Sequence, residues 1–155
     1  MAEYSANSGQ LVPPGGSLTF TLAPVPCERG FVRWRPGSGA FNLSGWVPNR
    51  GCGCNNFDAS ASYLVDFGAN IAVPEGQTVG EISVAFALDG VTIPDTTMIV
   101  TPAAVDEYFN VSRATNIKVW RNCCQTLTVI NTSDIPINVQ NANIIFSRPD
   151  LAVTY

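Results

Sequence analysis

Ile82-Ser83-Val84-Ala85-Phe86-Ala87-Leu88-Asp89-Gly90-Val91-Thr92-Ile93 is the stretch that decides the fold class. In an extended chain Ile82, Val84, Phe86 and Leu88 share one face, and Ser83, Ala85 and Ala87 share the other. Asp89-Gly90 is a two-residue hairpin signal, because both central positions of a type I′ turn need positive φ. The reading is an inner strand with Phe86 in the core, a tight turn, and a return strand at 91–93 that resumes at 97–100 after Pro94.

Upstream, Ser17-Leu18-Thr19-Phe20-Thr21-Leu22 alternates in the same way, and Pro24 and Pro26 are expected to end that strand. Further short strands are expected at 31–35, 41–46 and 63–67. Downstream they are expected at 108–111, 117–120, 126–130, 135–139 and 144–146, with Asn131-Thr132-Ser133-Asp134 and Gln140-Asn141-Ala142-Asn143 as turns. Eleven prolines and no sustained helical period argue against helices. About ten short strands with turn signals every 8–12 residues give an all-β, antiparallel jelly-roll sandwich. Met1 to Gln10 is polar and precedes Pro13-Pro14-Gly15-Gly16, so residues 1–16 are expected to form a flexible arm and 17–155 the jelly-roll domain.

Composition narrows the function. The 155 residues are 46% hydrophobic and only 13% charged, with a net charge of −4. So little charge on a free monomer favours association. Nucleic-acid binding is not expected, because the arginines are scattered and only Arg29, Arg33 and Arg35 cluster. No apolar run approaches a membrane span. Residues 1–20 lack a basic start and an apolar core, so synthesis in a cytosol is expected.

Histidine is absent, which excludes Ser-His-Asp and Cys-His catalysis and His-containing metal sites. The chain is read as non-enzymatic, with no catalytic residues, no cofactor and no metal. Asp106-Glu107, and Asp89 with Asp95, read as solvated turn residues. Cys27, Cys52, Cys54, Cys123 and Cys124 are the disulfide candidates, with a link from Cys52 or Cys54 to Cys123 or Cys124, or one using Cys27, in front. Buried free thiols are the alternative; the Cys-x-Cys spacing at 52–54 fits zinc poorly. An odd count leaves at least one thiol free or intermolecular. Of Trp34, Trp46 and Trp120, two are expected in the core. Arg33, Trp34 and Arg35 are the candidate surface-binding residues: the two arginines flank Trp34 on the opposite strand face and are suited to stacking or to an anionic glycan, with a plain polar outer face as the alternative.

Tyr63-Leu64-Val65-Asp66-Phe67-Gly68-Ala69-Asn70-Ile71-Ala72-Val73-Pro74 resembles a group of small proteins from Gram-positive gut bacteria and their prophages. The resemblance continues through Thr97-Met98-Ile99-Val100-Thr101-Pro102, Tyr108-Phe109-Asn110-Val111 and Cys123-Cys124 to Asn141-Ala142-Asn143-Ile144-Ile145. That group is similar in layout to the trimeric heads of the tumour-necrosis-factor and complement globular-head superfamily. The resemblance implies a homotrimer, and a structural protein decorating a phage virion by docking on the major capsid protein or another virion protein. The alternative is a binding module on a bacterial cell or spore surface, recognising glycan or host protein. The chain carries no Gly-X-Y tract.

Overall fold

The computed structural model describes residues 1–48 and 59–151. Among them lie twelve strands: β1 (Ala2–Ala6), β2 (Gln10–Val12), β3 (Leu22–Val25), β4 (Val32–Arg33), β5 (Phe41–Ser44), β6 (Ser60–Ala72), β7 (Ile82–Leu88), β8 (Val91–Thr92), β9 (Met98–Val100), β10 (Phe109–Trp120), β11 (Cys124–Asn131) and β12 (Ile137–Ser147). One sheet has the order β10-β6-β12-β1-β3, with β2 also beside β12. The other has the order β4-β5-β11-β7-β8, with β9 also beside β7. From β5 onward the chain crosses repeatedly between the sheets: β6, β10 and β12 lie in the first, β7, β8, β9 and β11 in the second. This is jelly-roll winding.

The deciding hairpin forms as read. Asp89 (φ 50°) and Gly90 (φ 82°) both take positive φ, as the type I′ turn requires. β7 is an inner strand between β11 and the β8–β9 edge, and Phe86 is 0% exposed. Its ring meets Phe67 of β6 edge-on at 6.0 Å, so the two sheets interlock there. A second knot of rings surrounds Phe41, with Tyr4 at 5.0 Å, Phe146 at 5.0 Å and Phe20 at 5.2 Å.

The N-terminal residues correct the expectation most. Residues 1–16 are not a free arm. β1 is an interior strand, paired from Ala2↔Phe146 to Ala6↔Ala142 on one side and with β3 on the other. Ala2, Tyr4 and Ala6 point into the core, while Glu3 accepts a 2.6 Å hydrogen bond from Asn143. The inward pattern was hidden because two of its three members are alanine.

Other boundaries shift for equally local reasons. Leu18 and Phe20 are buried, but Leu22 is 44% exposed, so the alternation does not run through to it. The segment crosses from one sheet to the other: the Leu18 N–H bonds Val129 O and the Thr21 N–H bonds Ser5 O. Pro24 lies inside β3 rather than ending it, as an edge strand permits. The expected turn at 140–143 is a bulge in β12, where pairing with β6 slips between Gln140 and Asn143 and Asn141 has φ 54°. The two short strands expected at 108–120 are one strand, β10, paired with β6 from Phe109↔Ile71 to Trp120↔Ser60.

Candidate functional site

The candidate surface residues run from the end of β4 into the turn after it. Arg33 pairs with Asn42 and Val32 with Leu43, so Val32 is buried while Arg33 turns outward. Arg35 also points outward, and Trp34 between them turns inward and is half-buried. A tight turn follows, closed by the Ser38 N–H on Arg35 O at 3.0 Å. Pro36 then Gly37, at φ 83°, is the residue order of a type II turn. Gly39 is fixed by close approach, because a Cβ there would sit 2.1 Å from Leu18 O.

This turn holds the indole. Trp34 Nε1 donates to Ser38 O at 3.0 Å, and the ring lies 4.8 Å from Tyr4 and 6.4 Å from the nearly parallel ring of Phe41. Two cavities meet at Trp34. One, about 520 Å³, is lined by Arg33, Trp34, Arg35, Ser38, Asn42 and Cys124, with Ala40. The other, about 420 Å³, includes Tyr4, Cys27, Val32, Arg33 and Trp34. Arg33, Trp34 and Arg35 therefore line one groove. The sequence singles out neither Ser38 nor Asn42, and Cys124 only as a disulfide candidate; the turn, the β4–β5 pairing and the β5–β11 pairing bring them in.

The other tryptophans correct the core expectation. Trp46 is 59% and Trp120 63% exposed. Burial alternates from Phe41 to Val47, which puts Trp46 on the outer face; Gly45 before it is fixed by close approach, since its N–H bonds Cys123 O at 2.8 Å and a Cβ there would meet Trp120 O at 2.1 Å. The backbones are already in contact.

Cys27 is half-buried, and Cys123 and Cys124 are exposed; no disulfide joins any of the three to another among the described residues. Cys52 and Cys54 lie outside the described residues. Two described residues that flank 49–58 bond the turn between β10 and β11: the Gly45 N–H bonds Cys123 O at 2.8 Å, and the Arg121 N–H bonds Ala59 O at 3.0 Å.

The remaining polar chemistry is structural. Arg148 is buried, with its guanidinium carbon 4.9 Å above the Tyr63 ring and 5.8 Å from the centre of Phe31. Its Nε donates to Asp150 Oδ1 at 2.8 Å, and its Nη2 donates to Asp150 Oδ2 at 2.7 Å and to Trp46 O at 3.0 Å. Burial works against the charge of both partners. For Asp150 the bonds from Arg148 and from the Ser62 N–H outweigh it, holding the carboxyl below its ordinary value. For Arg148 the carboxylate likewise outweighs burial, and its pKa is raised. Burial pushes the Tyr63 hydroxyl up to about 12 against the pull of Arg148, and the Tyr4 hydroxyl up to about 12 with the Cys27 side chain adding to it. Both phenols are protonated at neutral pH. Asp89 accepts from the Thr126 N–H at 2.9 Å and Glu107 from the Ala103 N–H at 3.2 Å, as turn residues do. No group of three or more metal-ligating side chains occurs among the described residues.

No family model and no curated protein sequence matches the chain. Solved structures do. The chain is similar to the globular domain of zebrafish complement 1qA protein, at 9% identity over 95% of this chain and 94% of that one, with a TM-score of 0.64. It is also similar to Eiger TNF from S. frugiperda, at 12% identity over 99% and 93%, with a TM-score of 0.64. Its fold is the jelly roll of the C1q and TNF heads. The likeness spans both sheets and nearly the whole length of each chain.

Proposed function

We propose that this chain is a non-enzymatic interaction head that acts as a homotrimer and decorates a phage virion, seated on the major capsid protein or another virion protein. The observation that carries self-association is the exposed side of the first sheet. There Asn110, Asn70 and Gln140 form one cross-strand row, Ser112, Gly68 and Asn143 the next, and Ala114, Asp66 and Ile145 a third. One charge stands among nine residues. Beside it β10 is a twelve-residue edge strand with only Arg113 and Lys118 as charges. A long, weakly charged edge beside a flat neutral face invites a partner strand or sheet. A second copy supplies one, and a closed ring leaves no edge free. The C1q-like and TNF-like fold and the low overall charge support this reading, and the prophage-like sequence stretches support the virion setting. Residues 1–16 are built into the folded domain and so do not serve as a free docking arm.

Static light scattering at micromolar concentration is the first test. A mass three times that of the chain is expected, and a monomer refutes the oligomer. Mass spectrometry of purified particles tests the setting, and absence of the chain from them refutes the virion role. A second reading, a bacterial surface module recognising glycan or host protein, is favoured by the Trp34 groove.

A further inference from the structure

We infer that the groove at Trp34 binds an acidic saccharide, a pyranose ring bearing a carboxylate. The inference rests on the reading of this chain as an interaction head, but not on what it is mounted on. Arg33 and Arg35, both exposed, line one groove in a chain of net charge −4. Neither has an ion-pair partner among the described residues. Arginines without a carboxylate of their own are open to one from outside, and the planar fork matches a carboxylate in two parallel bonds. Trp34, half-buried, lines the same groove and is held by its bond to Ser38 O and its packing on Tyr4 and Phe41. A ring already held in place loses little freedom on binding. Asn42, exposed on the same groove, adds an amide that can both donate to and accept from sugar hydroxyls. The volume, about 520 Å³, lies in the range of small-ligand sites.

An acidic peptide would satisfy the arginines but makes no particular use of the indole. A neutral sugar would use the indole but leave both charges unmatched. The combination selects a ring that carries a charge.

Calorimetric titration of the full chain with short oligogalacturonate, with neutral galacto-oligosaccharide, and with polyglutamate tests the inference. Oligogalacturonate is expected to bind, with a change in tryptophan fluorescence, and the other two at least about tenfold more weakly. Arg33→Gln and Arg35→Gln are each expected to weaken binding roughly tenfold or more, the loss of one charge-assisted contact. Both side chains are exposed, so melting temperature is expected to hold. Arg35→Lys is expected to restore only part of the affinity, since an ammonium cannot make the fork. No binding of oligogalacturonate, equal binding of the neutral sugar or of polyglutamate, or full affinity in the double glutamine variant each overturns the inference. Light scattering on the same samples separates the two ideas: a trimer that ignores the sugar refutes only the groove, and a monomer that binds it refutes only the trimer.

Discussion

Asp150→Ala is expected to destabilise the domain by about 3–5 kcal/mol, although Asp150 sits near the chain surface. The reason is what it leaves behind. The Arg148 side chain is 1% exposed and Asp150 13%. Removing the carboxylate strips two charge-assisted bonds from a guanidinium that cannot reach water, leaving it the Trp46 carbonyl and the face of Tyr63. Its Nη1 already lacks a hydrogen-bond partner among the described residues. Arg148→Met should cost less, about 1–3 kcal/mol: it removes the buried charge along with the bonds, keeps a similar apolar stem, and leaves a carboxylate that can rehydrate. The double variant Arg148→Met/Asp150→Ala should therefore be more stable than Asp150→Ala alone. Urea melts of the three proteins at neutral pH measure this, with the slope checked for constancy. If Asp150→Ala costs under about 1 kcal/mol, the pair behaves as an exposed salt bridge and the buried-charge argument is wrong. Acid should act in the same direction. A carboxyl held below its ordinary value contributes stability that is present above the unfolded pKa and is lost as pH falls through the folded one. The loss should therefore appear below about pH 4 and be absent in the double variant.

Tyr4→Ala should cost about 3–5 kcal/mol in the same melts, because the ring is buried in an interior strand; a near-neutral result would restore the free-arm reading of residues 1–16. Phe86→Ala should cost about 3–5 kcal/mol and exceed any change at Asp106 or Glu107, and a neutral result would mean that the register of the hairpin is wrong. Alkali should destabilise between pH 10 and about 12, since Tyr4 and Tyr63 ionise at 10.0 when unfolded but near 12 when folded; Tyr63→Phe should flatten that limb, and an unchanged limb refutes the assignment. A thiol reductant should lower stability by about 2–4 kcal/mol if Cys52 or Cys54 is bonded to Cys123 or Cys124, whereas EDTA should have no effect; peptide mapping under non-reducing conditions identifies the bond, and stoichiometric zinc refutes the ranking.

Periodicity carried the fold where side chains were large and alternation was uninterrupted. Ile82 to Leu88 was legible because one face is large and the other small, and the turn residues allow one geometry. β1 was not legible, because Ala-Glu-Tyr-Ser-Ala offers one large apolar side chain in five, and its place comes from partners more than a hundred residues away. β12 was split in the sequence because Gln140-Asn141-Ala142-Asn143 has turn composition. Asn141 does adopt the left-handed conformation such residues favour, but the ladder resumes beyond it as a bulge. Local chemistry was read correctly there and its consequence was not, since a bulge and a turn share residue preferences until the partner strand is known.

The site shows the same division one level up. Arg33, Trp34 and Arg35 were visible because they are adjacent in the chain, and Pro36-Gly37 marked the turn beside them. Ser38 and Asn42 had no signal of their own. They enter because the turn folds the indole nitrogen onto Ser38 O and because Asn42 pairs with Arg33 across two strands. The buried clamp was less visible still. Arg148-Pro149-Asp150 reads as a polar chain end, and nothing in it indicates that the guanidinium lies over Tyr63, eighty-five positions earlier. The three residues do contain the means: proline opens a 3₁₀ turn that brings the carboxylate back onto its own arginine. In a chain with so few charges, that difference separates the arginines. Arg148 is paired with Asp150 inside the fold, whereas Arg33 and Arg35 line a groove with no ion-pair partner among the described residues, and a cation so placed is where a ligand is to be sought.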